Sequence, residues 1–140
     1  MQVKIENQKI AQTINLLYNL SLKGKQSRHR SKFISALRDK YQEFAEDEKE
    51  LLKEHCNLDE NGEPKTLENG TKWDVKDPDA FAAARIELYE EERVFDGGDA
   101  QEMLKTVKEV LLNCQEEFAG AEAEIYDYLC DQFEKGADEE

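Results

Sequence analysis

His55 and Cys56 are the one place in the sequence where a histidine stands beside a thiol. A nucleophilic cysteine needs an imidazole aimed at it and a third group that orients the imidazole. Neighbours on a helix point about 100° apart, so the two form no dyad with each other. They read as a helix-end histidine beside a packed thiol. Metal binding has little to work with: His29 and His55 are 26 residues apart, and neither Cys-x-x-Cys nor His-Glu-x-x-His occurs. The run Asp59-Glu60-Asn61-Gly62-Glu63 resembles the start of a calcium loop, but the twelfth position counted from Asp59 is Gly70, which has no side-chain ligand. Gly97-Gly98 before a helix start offers N–H groups to an anion, yet Asp96 and Asp99 flank it and repel phosphate. Paired carboxylates are abundant, as in Glu90-Glu91 and Glu116-Glu117. A general acid needs an apolar pocket to raise its pKa, and Glu48 alone sits on an apolar stripe. Its expected partner is a base such as Arg30, Arg85 or Lys105. The sequence therefore leads us to expect no catalytic residue, no metal and no cofactor.

Charge is the feature with functional flavour. The 140 residues carry a formal net charge of −14, with 37% charged residues and a mean hydropathy of −0.86. Residues 1–85 hold 15 acids and 15 bases, whereas residues 86–140 hold 18 acids and 4 bases. The basic residues Lys23, Lys25, Arg28, Arg30, Lys32, Arg38 and Lys40 cluster within residues 23–40. Acidic excess argues against direct nucleic-acid binding, because the phosphate backbone is repelled. Carboxylates along the helices of the acidic half could instead imitate phosphate spacing. Arg28, Arg30 and Lys32 are expected to meet carboxylates of that half, in the same chain or in a second copy. A partner protein or a nucleic acid is the alternative.

These side chains need elements to place them. Residues 2–6 alternate and read as a short strand or an extended lead-in. Asn7 is the expected cap of a helix over about 8–22, which Lys23-Gly24-Lys25 ends. Ser27 is the expected cap of a long helix over about 28–56, with Ile34, Leu37, Tyr41, Phe44 and Leu51 on one stripe. Arg30, Glu48 and His55 fall on the same stripe. Asn69-Gly70 predicts a hairpin tip with a type I′ turn, pairing Leu67 with Lys72 and Thr66 with Trp73. Trp73 and Val75 are expected to pack on a helix pair. Asp77-Pro78 starts a third helix whose apolar side is Phe81, Ala84, Leu88 and Phe95. Asp99 with Glu102 caps a fourth, with its stripe running from Met103 to Phe118. After Gly120 a fifth spans about 121–134 with Ile125, Leu129 and Phe133 inward. The expected fold is mostly α, α+β at the margin: about five helices, one β-hairpin near residues 63–76 and a short N-terminal strand at most. The organisation expected is one helical domain over 1–140, a hairpin insertion at 57–77 and a frayed acidic tail at 135–140.

No run reaches the roughly 18 apolar residues of a membrane span. The start "MQVKIENQ" lacks an apolar signal core, so the cytoplasm is the expected location. Cys56, Cys114 and Cys130 suit it as reduced thiols.

The segments "LKGKQSRHRSKFISAL", "HCNLDENGEPKT", "VFDGGDAQEMLKTVKEVLLN" and "AEIYDYLCDQFE", in that order, resemble a family of small proteins encoded by tailed phages and prophages of Gram-positive bacteria. Its Lys-Gly-x-x-Ser-Arg-x-Arg segment is here Lys23, Gly24, Ser27, Arg28 and Arg30; its Asp-Gly-Gly-Asp and Tyr-Asp-Tyr-Leu-Cys segments are residues 96–99 and 126–130. The resemblance implies a phage setting and a domain of unknown function, with no activity and no catalytic residue to carry over. The expectation is a non-enzymatic accessory protein that binds another protein, phage structural or host, in virion or tail assembly in the bacterial cytoplasm. An acidic inhibitor of a host factor, DNA-mimic-like and anti-defence, is the alternative. The candidate contact residues are Arg28, Arg30, Lys32, Trp73, Glu90, Glu91, Glu116 and Glu117.

Overall fold

Val3 and Ile5 alternate with Lys4 and Glu6, and this period of two makes the first element, strand β1 (Val3–Glu6). The computed structural model describes residues 1–96, 98 and 101–138, with side chains through residue 136. A 3-10 turn (Asn7–Lys9) leads into α1 (Ile10–Tyr18) and then α2 (Gly24–His55). Strands β2 (Thr66–Leu67) and β3 (Lys72–Trp73) form the hairpin, followed by α3 (Pro78–Glu90), β4 (Glu92–Phe95), α4 (Gln101–Leu112) and α5 (Ala121–Asp138). The fold is mostly α with two small antiparallel sheets. The chain divides into two compact units, one of Met1–Tyr41 with Glu92–Glu140, the other of Gln42–Glu91, and α2 contributes to both.

In the first unit β1 pairs antiparallel with β4, Val3 opposite Phe95 and Ile5 opposite Arg93. A two-stranded ribbon is marginal alone, and here Val3, Ile5 and Phe95 are buried in a core with Phe33, Leu104, Leu129 and Phe133. Strand β4 corrects the expectation that the third helix carries Phe95 on its apolar side. That helix stops at Glu90, and Phe95 is a buried strand residue, not part of a helical stripe. Pairing with β1 supplies what four residues of modest β-propensity could not supply alone.

Arg93, placed by β4, explains a second difference. Asn7 is not an exposed cap: it is buried, and its Oδ1 accepts from Arg93 Nε at 2.8 Å. Helix α1 also ends at Tyr18, earlier than expected. Arg30 takes up one carbonyl of the last turn of α1 and one just beyond it: Nη1 donates to Leu17 O at 2.9 Å and to Leu20 O at 2.8 Å. Gly24, at φ +62°, opens α2 instead of closing α1. Ser27 accordingly lies inside α2, its Oγ accepting from Arg30 Nη2 at 3.4 Å.

The outer edge of β1 is closed by α5. Glu6 N–H donates to Tyr128 Oη at 3.0 Å, Gln132 Nε2 donates to Lys4 O at 2.6 Å, and Gly136 sits on the Gln2 carbonyl. Four helical residues rise about 6 Å and two strand residues about 6.6 Å, so an i, i+4, i+8 row on the helix meets alternate residues of the strand. The arrangement removes an aggregation-prone edge. Helix α5 runs to Asp138 and Gly136 is buried, while residues 139–140 of the expected tail lie outside the described residues.

Helix α4 buries Met103, Leu104, Val107, Val110 and Leu111 as expected. It ends at Leu112, so Cys114 and Phe118 are half-buried beyond the helix. The expected cap at Asp99 lies outside the described residues. Tyr126 donates its hydroxyl to Leu111 O at the end of α4. Loss of hydration, with the Cys130 side chain as a further hydrogen-bonding neighbour, pushes the Tyr126 phenol up to about 12. The folded state thus holds this proton more tightly than the unfolded chain. The associated stability is complete below about pH 10 and is lost as the pH climbs toward the folded value. In a titration of phenolate absorbance, Tyr126 is expected to ionise last, and Tyr126→Phe to remove the highest-pH step.

In the second unit the hairpin register is as expected, Thr66 opposite Trp73 and Leu67 opposite Lys72. The turn is broader than a two-residue type I′: Glu68, Asn69 and Gly70 all have positive φ (50°, 59° and 89°). Asp77 caps α3, its carboxylate accepting from Asp79 N at 3.1 Å and Ala80 N at 3.2 Å, with Pro78 first in the helix. Tyr41, the last residue that α2 gives to the first unit and one expected on the core stripe, is 42% exposed.

Candidate functional site

The basic stretch is used within the first unit in ways the sequence did not show. Lys25 Nζ pairs with Glu102, and the Lys25 hydrogen bond holds that exposed carboxyl below its usual pKa. Thr106 Oγ1 donates to Glu102 O at 2.9 Å, so in the 2.9 Å contact between His29 Nδ1 and Thr106 Oγ1 the imidazole is the donor. Arg30 meets carbonyls, not the carboxylate expected of it. Arg28 and Lys32 are exposed. With a donor-free side chain of similar reach, Arg30→Met should cost about 1–3 kcal/mol, because Leu20 O loses the Arg30 donor and Leu17 O is left with backbone donors such as the N–H of Leu20 at 3.3 Å. Chemical denaturation reads this directly, and Arg30→Lys should recover part of it.

A cleft in the second unit gathers groups from three elements. Helix α2 brings Glu48, Leu51 and Leu52; α3 brings Phe81, Arg85 and Tyr89; the hairpin brings Trp73. Together they line a cavity of about 150 Å³. Tyr89 Oη donates to Glu48 Oε2 at 2.6 Å and accepts from Arg85 Nη2 at 3.2 Å. The Arg85 guanidinium lies 4.8 Å from the Tyr89 ring centroid, a cation–π distance. Glu48 is therefore linked to Arg85, one of its three expected bases, through a tyrosine hydroxyl that sequence reasoning did not single out. The hydrogen bond to Glu48 raises the Tyr89 pKa, so the bridge stays protonated. Phe44 packs edge-on against Tyr89 at 5.3 Å, and His55 lies 5.8 Å from the Phe81 ring.

Trp73 is 46% exposed at this cleft, while Val75 joins Cys56 by a backbone bridge. Burial raises the Cys56 thiol pKa, which lowers its reactivity. The Asp59 carboxylate serves its own turn, accepting from Asn61 N at 2.8 Å and Glu63 N at 3.0 Å. Glu90 ends α3, Glu91 follows it, and both are exposed. Glu116 and Glu117 are exposed in the segment after α4, not along a helix, and Glu116 borders a larger cleft of about 360 Å³ that no aromatic side chain lines. Among the described residues no group of three His, Cys, Asp or Glu side chains is placed to hold a metal. No helix there is long and apolar enough to cross a membrane.

Folding also regroups the charge. Residues Gln42–Glu91 hold 16 acids and 6 bases, a net of −10; the first unit holds 17 and 13, a net of −4. The basic residues 23–40 share a unit with the acidic residues that follow position 91. The cleft unit is left with most of the excess.

Elements and cleft define a mostly helical protein that presents an aromatic-lined apolar cleft on an acidic unit. The chain belongs to the family described as Protein of unknown function (DUF1617), which matches residues 1–140. No curated protein and no solved structure matches it.

Proposed function

We propose that this chain works without catalysis, by binding another protein, as an accessory protein of a phage or prophage in the cytoplasm of its bacterial host. Virion or tail assembly is the setting proposed. The observation that carries the reading is the half-exposed Trp73 over an apolar cleft in a unit of net charge −10. Large aromatic side chains left partly in water are the usual anchors of interfaces. Acidic surroundings select the partner's charge and speed its approach.

The test is affinity capture with the whole chain from phage-infected cells, with the captured proteins identified. Recovery of phage structural proteins is the expected result. Recovery of host nucleic-acid-binding proteins alone, released steeply by salt, would support the acidic host-factor inhibitor in its place. Turnover in a hydrolase and transferase screen, abolished by a Cys56 or Cys130 substitution, would overturn the non-catalytic reading.

A further inference from the structure

The second unit leaves several large apolar side chains in water. Helix α3 spans 13 residues and buries none of them. Helices in proteins draw most of their stability from packing an amphipathic face, so α3 is only partly supplied. Ile86 on α3 is 56% exposed, Leu67 on the hairpin 48% and Trp73 46%. A two-residue-per-strand hairpin gains little from its own ladder, and its two large apolar side chains are both exposed. The floor of the cleft, Leu51, Leu52 and Phe81, is half-buried.

Charge decides what can cover this surface. A second copy approaching through the same face would bring together two units of net −10. Nucleic acid and anionic lipid surfaces are repelled by the same field. Among the described residues lining the cleft the one cation is Arg85, which is engaged by the ring and the hydroxyl of Tyr89. Glu48 accepts from Tyr89 through Oε2 and, as a carboxylate, has further acceptor capacity for an incoming donor.

Resting on the reading of this chain as a protein-binding module, we infer that the cleft of α2, α3 and the hairpin docks a basic amphipathic segment of another protein. An aliphatic side chain of that segment enters against Leu52, Phe81 and Trp73. Its lysines or arginines are drawn by the unit's net negative charge, one meeting Glu48 and one lying over the Trp73 ring. The pattern is apolar anchors in a groove with charged flanks, as in helix-in-groove recognition.

Trp73 is the only tryptophan of the chain, so its emission reports on the cleft without any substitution. The probe is a 14-residue peptide of leucine and lysine in amphipathic order. Its comparators are a leucine/glutamate and a serine/lysine peptide of the same length. Expected is a saturable blue shift of Trp73 emission with the leucine/lysine peptide. Affinity should drop at least about tenfold when salt rises from low to well above physiological strength. It should also be at least about tenfold weaker for Leu52→Ser, a substitution that removes part of the floor. The leucine/glutamate peptide should not bind. Three results would overturn the inference: leucine/lysine binding with unchanged Trp73 emission, equal affinity for the serine/lysine peptide, or an emission shift produced by protein concentration alone. Capture from infected cells separates the two readings. Undiminished capture by a folded Trp73→Ala chain removes the cleft and leaves the protein-binding role standing. Capture of nothing by the unaltered chain removes the role itself.

Discussion

Replacing Phe33 with alanine is expected to cost the first unit about 3–5 kcal/mol, the largest loss from any single substitution considered. Phe33 is fully buried on α2. Its ring meets Phe95 of β4 at 5.4 Å and 71°, and Phe133 of α5 at 5.7 Å and 75°. Both are edge-to-face geometries, each contributing about 0.5–1.5 kcal/mol beyond area burial. Three elements distant in sequence therefore converge on one ring. Its removal leaves a cavity bounded by a strand and two helices, and a two-stranded ribbon cannot collapse into it without losing its own register. Domain stabilities run to about 5–15 kcal/mol, so the variant should sit near the edge of folding. Urea denaturation followed by far-UV circular dichroism should show the midpoint falling by roughly 2 M, taking a slope of about 2 kcal/mol/M. Phe33→Leu should recover more than half of the loss. A cost under about 1 kcal/mol would mean that the three rings do not share a core.

What the sequence disclosed, and what it hid, follows the range of the interactions. The hairpin was legible because Asn69-Gly70 needs only its own backbone to turn, and the pairing of Thr66 with Trp73 then follows by counting. The start of α3 was legible because Asp77 and Pro78 act within one turn. Strand β4 was hidden because its partner lies at the other end of the chain. Phe95, seven residues beyond Leu88, keeps helical phase, so periodicity could not separate a helix from a strand there. The regrouping of charge on folding has the same origin. Once β1 holds β4, the acidic C-terminal residues share a unit with the basic stretch, and the excess stays with residues 42–91.

The cleft was half legible. Trp73 and Glu48 stood out, one as the lone tryptophan on a small hairpin, the other as a carboxylate on an apolar stripe. Tyr89 did not, although it lies four residues after Arg85 and eight after Phe81, on one face of α3. Helical spacing on that helix could have found it. Arg30 is half-buried and donates to backbone carbonyls, where its place on the α2 stripe suggested a carboxylate. The expected helix ran past Leu20, and its end carbonyls were not seen to need a donor.

Gly136→Ala should run against the usual sign of a glycine replacement in a helix. Alanine normally gains about 0.8–1.0 kcal/mol over glycine within a helix. At residue 136 an added Cβ would overlap the carbonyl of Gln2. That neighbour is backbone and cannot swing aside as a flexible side chain would. Either Gln2 or α5 must move. Moving α5 disturbs the bonds from Gln132 to Lys4 O and from Glu6 N to Tyr128 Oη, which lie on the same row of the helix. Overpacking costs about 1–3 kcal/mol, and weakening either bond adds about 0.5–1.5 kcal/mol. The net expectation is a loss of about 2 kcal/mol. At about 4–8 °C per kcal/mol for a domain of up to 100 residues, Tm should fall by roughly 10 °C. Glu134→Ala, at an exposed position of the same helix, should change stability by less than about 0.5 kcal/mol. A Gly136→Ala chain as stable as the parent would show that α5 does not lie against β1 at this distance, and the closed edge of the sheet would have to be abandoned. A loss confined to Gly136→Ala would establish that a glycine in the last turns of the chain sets how closely helix and strand approach.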